Sequence, residues 1–162
     1  MTDSYPAAPP PFPGQGPGPG HTFAGWWSRV GATIIDALPI VLVGIVLTIA
    51  FGDNETSSNS ASFQLSGLPF VIYLLIALGW LLYNYGALQG RTGQSLGKKA
   101  LGTRLVAAST GQPIGFGLSV ARYFVHFLDA IPCYLGYLWP LWDRENRTFA
   151  DMILDTRVVK AS

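Results

Sequence analysis

The sequence predicts an all-α polytopic membrane domain behind a disordered tail, and three observations predict it. Charged residues make up 12% of the 162 residues, whereas soluble domains carry about 25%. Two stretches of the chain, 30–51 and 67–88, are apolar and long enough to cross a bilayer, which takes about 20 residues. The first twenty residues hold seven prolines and four glycines. We therefore divide the chain into a tail, 1–21, and a membrane domain, 22–162.

The tail has too few apolar residues to form a core, so its composition predicts disorder with polyproline II character. It lacks the basic start and apolar run of a signal peptide. Residues 6–19 include the segment PPPFP, which could bind an aromatic groove on a protein partner. A solvated spacer is the interpretation that the composition favours.

The two spans differ in charge and share aromatic ends. The first, 30–51, contains one charged residue, Asp36, and the second, 67–88, contains none. Trp26 precedes the first span and Tyr85 closes the second. Such amphipathic rings concentrate at the membrane–water interface.

The connecting segments predict an orientation. Residues 52–66 carry acids but no lysine or arginine, whereas 89–112 contains several bases, including Lys98 and Arg104. The positive-inside rule then puts 52–66 outside and 89–112 in the cytoplasm. We expect a multi-pass protein of a bacterial plasma membrane with a cytoplasmic N-terminus.

A third apolar region, 113–142, is long for one span and short for two. It contains Arg122, His126 and Asp129. A break at Pro132 and Gly136 would let it double back, keeping the basic C-terminal segment in the cytoplasm. A single crossing is the open alternative.

The chain contains two internal similarities, and the second of them supports the doubled-back path. An R-x6-D-A-[LI]-P pattern occurs at 29–39 and again at 122–132, and residues 94–106 resemble 147–159. Weak internal repeats of this kind occur in transporter folds. The short β-branched ends of the second pair could form two strands against each other. Chance similarity is the alternative.

Acidic residues inside the membrane segments are the candidate functional groups. An acid at the centre of a span is unfavourable by about 2.5–3.5 kcal/mol on insertion scales, so Asp36 must face protein, find a partner or stay protonated. Pro39 frees the carbonyl of Ile35 beside it, and such oxygens suit a proton or a small cation. Asp129 repeats this arrangement, and His126 one turn earlier could relay protons.

A purely structural role is the competing hypothesis. Asp36 would then pair with Arg122, and Asp129 with Arg29, as contacts between helices. Equivalent placement of the two patterns would allow this exchange of partners.

Other classes of function are disfavoured. The net charge of +1 argues against a nucleic-acid binder, and the single Cys133 against a disulfide framework or a cysteine-based zinc site. The stretch GQSLGKK lacks phosphate-loop spacing. No catalytic constellation is visible in the sequence. We expect no enzyme activity, no cofactor and no metal.

Several separated motifs resemble the RDD family, named for one arginine and two aspartates. Arg29 and Asp36 match the arginine and the aspartate of its first helix, and 97–106 resembles its glycine–lysine segment. We assign the second family aspartate to Asp151, because 151–159 resembles the closing segment. The resemblance covers residues 22–160, and the proline-rich tail is similar to that of actinobacterial members.

The resemblance implies a part in transport without naming a substrate. For Asp151 we expect a helix or turn cap, or a salt bridge to Lys98 or Arg147. The leading hypothesis is transport of a small ion or solute, proton- or cation-coupled, with Asp36 loading and releasing the ion. So small a chain would act in the bilayer as a homo-oligomer. The alternative is an accessory subunit of a larger membrane complex, recruited through its tail.

Overall fold

The computed structural model describes residues 22–57, 60–131 and 135–161. The predicted tail, residues 1–21, and the expected break at Pro132 lie outside these residues, as does Cys133. Expectations for those positions stay predictions.

Two long helices dominate the molecule. The first, α1, spans Trp26–Phe51. The second begins as α2, Gly67–Leu81, passes into a π-helix, Leu82–Leu88, and ends as α3, Gln89–Thr92. Only 6% of the most apolar stretch of each long helix is buried. The core helix of a soluble protein would be mostly buried, so these apolar surfaces fit contact with lipid.

The loop between the two long helices forms a hairpin. Strand β1, Asp53–Ser57, pairs antiparallel with β2, Ser60–Gln64. The sequence predicts a loop without strands here, because a serine- and asparagine-rich composition favours turns and loops.

The remaining elements are short. They are α4 Leu96–Ala100, β3 Thr103–Ala107, α5 Gly115–Val125, α6 Phe127–Ala130, α7 Leu135–Leu138, a 3₁₀ turn Trp139–Leu141, α8 Phe149–Ile153 and β4 Thr156–Lys160. The region 113–142 is therefore broken into short helices. Its longest, α5, has 11 residues and extends roughly 16 Å, about half the thickness of a bilayer core.

Strands β3 and β4 pair antiparallel, as the sequence similarity predicted. Leu105 lies opposite Val158 at the centre of the ladder, and Thr103 and Thr156 begin the two strands. Leu105 and Val158 are themselves equivalent positions of the repeated segments 94–106 and 147–159. The register is therefore symmetric about a pseudo-two-fold axis at this pair.

The helices before these strands repeat the same design. Ser95 caps α4 by accepting a hydrogen bond from the Lys98 amide, and Thr148 caps α8 by accepting one from the Asp151 amide. Both caps satisfy donors that a helix start leaves unpaired. The similarity between 94–106 and 147–159 thus corresponds to a repeated cap–helix–strand unit.

The small core of the protein lies beneath the β3–β4 pair. Ala24 joins it from the segment before α1, donating its amide to the carbonyl of Val158. Leu105 and Ile114 complete the cluster, and Leu105 is fully buried. These contacts fix the start of α1 against the strands.

Replacing Leu105 by alanine should lower the free energy of unfolding by about 2–5 kcal/mol, since it leaves a cavity at the centre of the strand pair. Ile153→Ala on α8 is the control, because its side chain is 57% exposed. Thermal unfolding in a neutral detergent measures both, and equal losses in the two variants would contradict this core assignment.

Candidate functional site

The carboxylate of Asp151 lies at the centre of a buried network. It accepts hydrogen bonds from the Thr148 amide on Oδ2 at 3.1 Å and from the Thr156 hydroxyl on Oδ1 at 3.0 Å. Together with the Thr148 side chain it forms a capping box at the start of α8. Of the roles expected for Asp151, the helix cap is observed.

Two arginines from different helices converge on the same carboxylate. Arg29 near the start of α1 places Nη1 2.5 Å from Oδ2. Arg122 in α5 places Nη2 2.6 Å and Nε 3.2 Å from Oδ1. One carboxylate thereby joins α1, α5 and α8.

The arginines decide the charge of Asp151. Its side chain is fully buried, and burial alone would raise the pKa of the carboxyl. The charges of Arg122 and Arg29, with their hydrogen bonds, outweigh burial and hold the pKa of Asp151 well below its usual value. Asp151 is therefore ionised at neutral pH.

Asp36, on α1, binds only neutral donors among the described residues. Its carboxylate accepts from the Ser95 hydroxyl at 2.5 Å, the Gly97 amide at 2.7 Å and the Asn84 amide group at 2.8 Å. Its main-chain carbonyl accepts from the Trp80 indole at 3.0 Å. Asp36 thus attaches the first turn of α4 to α1, where its charge also suits the helix N-terminus.

Glycine at position 97 is required for this close approach. A Cβ atom there would collide with the backbone of Ala32 on α1. The short distance between the two helices brings the Gly97 amide within reach of Asp36.

Asp129 makes the equivalent contact in the second unit. It accepts from the Ala150 amide at 3.3 Å, and Ala150 occupies the position in α8 that Gly97 occupies in α4. Its other oxygen lies 2.5 Å from Nδ1 of His126. The repeated helix patterns and the repeated cap–helix–strand units are therefore joined in the same way.

The ion pairs predicted from sequence are wrong. Arg122 contacts Asp151 and not Asp36, and Arg29 contacts Asp151 and not Asp129. Asp151 pairs with neither Lys98 nor Arg147. The repeats correctly identified the helices that carry these charges. Donors at the starts of α4 and α8 bind Asp36 and Asp129, so both arginines pair with Asp151 instead.

Lys98 is the counterpart of Asp151 in the first unit, and its role was not foreseen. It is buried, and no carboxylate oxygen lies within 4 Å of its amine in the described part of the chain. The amine lies 5.7 Å from the centre of the Tyr85 ring. Burial and the nearby charge of Arg122 lower the pKa of Lys98 to about 7. Aligning the two repeats residue by residue would have paired Lys98 with Asp151.

A cavity of about 690 Å³ lies beside this network, between α1, the second long helix and α5. Arg29, Lys98 and Arg122 line it, while the three aspartates of the network do not. Its further polar lining is provided by Thr33, Gln89, Thr103, Ser119, His126 and Thr148. Arg104 lies exposed on β3, outside the lining. The described residues contain no cluster of three or more acids, histidines or cysteines suited to a metal.

Comparison with known proteins gives a family and several relatives. The sequence model of the RDD family matches residues 23–155. A proline-rich antigen homolog of Mycobacterium tuberculosis is 41% identical over 153 residues, covering 85% of this chain and 63% of the relative. The proline-rich antigen of Mycobacterium leprae is 40% identical over 152 residues, with 85% and 61% covered. The uncharacterized protein YxaI of Bacillus subtilis is 28% identical over 147 residues, with 84% and 96% covered.

The chain thus spans less than two thirds of the length of the two mycobacterial relatives. No solved structure matches it.

Lys98→Met should stabilise the protein more at neutral pH than at alkaline pH. The pKa of this amine falls from an ordinary 10.5 to about 7 on folding, so the unfolded chain binds more protons between these values. The resulting destabilisation grows as the pH falls from 10.5, is nearly complete at about 7 and is constant below. Melting temperatures in neutral detergent should show a larger gain at about pH 7 than at about pH 10.

Lys99→Met, which changes an exposed neighbour, is the matched control and should gain little at either pH. A gain for Lys98→Met that is the same at both pH values would contradict the assignment.

Proposed function

The chain belongs to the RDD family of membrane proteins, and on that premise we propose that it transports a small ion or solute through the cavity beside Asp151. The observation that carries the proposal is the position of this cavity. Charged and polar side chains line it between helices whose outer surfaces are apolar and exposed. Ionisable groups in such a setting are energetically unfavourable, and their presence around a cavity is typical of a binding or transport site.

The cavity has the size and lining of a small-molecule site. Sites for such ligands typically measure about 300–1,000 Å³ and combine apolar walls with a few polar groups. Here the apolar part includes Tyr85, Tyr123 and Phe127, and the polar part includes Gln89 and Ser119. The Gln89 amide donates to the Ser119 hydroxyl at 2.8 Å, so part of the polar wall is already held in place.

His126 and Asp129 are the best-placed groups for coupling to protons. His126 lines the cavity, and its ring nitrogen contacts the buried carboxylate of Asp129. A histidine in contact with a carboxylate has the donor and acceptor atoms that passing a proton requires. Asp36 lies away from the lining and already accepts three hydrogen bonds, which favours a positioning role for it.

We further propose that the cavity faces the cytoplasmic half of the bilayer. The bases of residues 89–112 follow the second long helix, whereas the β1–β2 hairpin joins the opposite ends of the two helices. The positive-inside rule assigns the first group to the cytoplasm and the hairpin to the outside. Trp26 and Trp27, at the start of α1, fit the same interface.

Transport by way of this cavity implies assembly. The far half of α1 exposes apolar side chains such as Val46 and Ile49, so one copy does not enclose a path across the membrane. A homo-oligomer in the bilayer would supply the missing walls. The same exposed surface also supports the second candidate, an accessory subunit that packs against a larger membrane complex.

Val30→Phe should reduce solute-dependent proton movement by tenfold or more, because Val30 lines the cavity and a larger side chain would narrow it. Val41→Phe is the matched control, since Val41 lies on the same helix with half of its surface exposed to the outside. The measurement is the response of a pH-sensitive dye in inverted vesicles to added sodium, potassium, lithium or phosphate salts. Both variants must be present at wild-type abundance.

Equal activity in the two variants would contradict a cavity pathway. If wild type gives no response to any salt and instead co-purifies with a membrane complex, the accessory-subunit function replaces transport.

A further inference from the structure

The cavity wall carries an excess of positive charge. Arg29, Lys98 and Arg122 all contribute to the lining, and one carboxylate, Asp151, pairs with both arginines. The other aspartates of the network, Asp36 and Asp129, are held by amide, hydroxyl and imidazole groups away from the lining. No carboxylate balances Lys98 by direct contact within the described residues.

The pseudo-two-fold axis shows where the excess of positive charge arises. It relates α4 to α8 and therefore Lys98 to Asp151, while Arg29 and Arg122 are equivalents of each other. In the second unit a carboxylate of the chain bridges the two arginines. In the first unit the equivalent position holds a cation, so the symmetric counterpart of the Asp151 carboxylate is missing from the chain.

Some polar atoms of the residues that line the cavity also lack hydrogen-bond partners. Nε and Nη2 of Arg29 are buried without a hydrogen-bond partner, and buried donors are rarely left unpaired. An unpaired buried donor destabilises the protein unless a ligand or water satisfies it. Oε1 of Gln89, on the same wall, is a buried acceptor without a donor.

We propose that the cavity binds a phosphate-type oxyanion between Lys98, Arg29 and Arg122. The planar guanidinium groups match the geometry of phosphate oxygens, and the lysine adds a point charge. A hydroxyl on the same ligand would satisfy Gln89. The inference deepens the proposed function, because it names the chemical class of ligand for the proposed transport cavity.

The surroundings favour a lipid headgroup as the source of this phosphate. Ile34, Phe124 and Phe127 line the cavity and are more than half exposed. Acyl chains could lie against these side chains while the phosphate reaches the bases. Basic pockets between transmembrane helices bind anionic headgroups in this way. A free phosphate ion would use the same bases without the apolar contacts.

Native mass spectrometry of the full chain in neutral detergent tests the proposal. The probes are phosphatidylglycerol, phosphatidylcholine with the same acyl chains, and inorganic phosphate as competitor. Wild type should bind phosphatidylglycerol at least tenfold more tightly than phosphatidylcholine. Lys98→Met should weaken phosphatidylglycerol binding about tenfold, and Lys99→Met, with the same charge change on an exposed neighbour, should not.

Competition with inorganic phosphate distinguishes a lipid headgroup from a free phosphate ion as the ligand. Bound phosphatidylglycerol that millimolar phosphate does not displace indicates a lipid site, whereas displacement by phosphate indicates a site for the free ion. Lys98→Arg, which keeps the charge, should retain binding and guards against loss through misfolding. Equal weakening by Lys98→Met and Lys99→Met, or equal binding of both lipids without phosphate binding, would overturn the proposal.

The lipid-binding experiment and the proton-movement assay can fail independently of each other. Binding that depends on Lys98 without any proton movement would refute transport and leave the oxyanion site. Cavity-dependent flux without Lys98-dependent binding would refute the site and leave transport.

Discussion

The carboxylate of Asp151 joins three parts of the chain that are far apart in sequence. It caps α8 and accepts hydrogen bonds from Arg29 at the start of α1 and Arg122 in α5. Each arginine would be strongly unfavourable in a buried position without this partner. The charges of the two arginines in turn keep the carboxylate ionised despite its burial. The arrangement of the helices around the cavity therefore depends on one three-membered ionic contact.

Internal symmetry explains how so short a chain builds this site. Each unit uses an aspartate from a helix earlier in the chain to hold the first turn of a short helix, through Gly97 in one and Ala150 in the other. A strand follows each short helix, and the two strands pair about their centre. The two units differ in charge at one equivalent position, which is Lys98 in the first unit and Asp151 in the second. As a result, the two arginines share the carboxylate of Asp151, whereas Lys98 contacts no carboxylate among the described residues.

Prediction from sequence succeeded where the signal is local or repeated. Apolar length located both long helices, although α1 begins at Trp26 and the second helix extends to Thr92, because turns at the interface continue the helices beyond the apolar core. The repeated T-R-[LV]-V segments identified the β3–β4 pair. The β1–β2 hairpin was missed, since its polar composition is that of a loop.

The sequence did not predict which buried charged residues form ion pairs with each other. Spacing placed Arg29 and Asp36 on one helix and Arg122 and Asp129 on another, and exchange between them was the natural expectation. It failed because backbone amides at the starts of α4 and α8 compete for the same carboxylates, and helix starts are good anion partners. The equivalence of Lys98 and Asp151 becomes clear only when the two repeats are aligned and related by the pseudo-two-fold axis.

The most direct test of this account is the stability of Asp151→Asn beside that of Asp155→Asn. Asp155, in the turn after α8, has a side chain that is 69% exposed and 3.6 Å from Arg157. Unfolding in neutral detergent should show a loss of about 3–5 kcal/mol for Asp151→Asn, because two buried arginines lose their common partner. Asp155→Asn should change stability by less than about 1 kcal/mol. Equal stability of the two variants would show that the fold does not depend on the contact between Asp151 and its arginines.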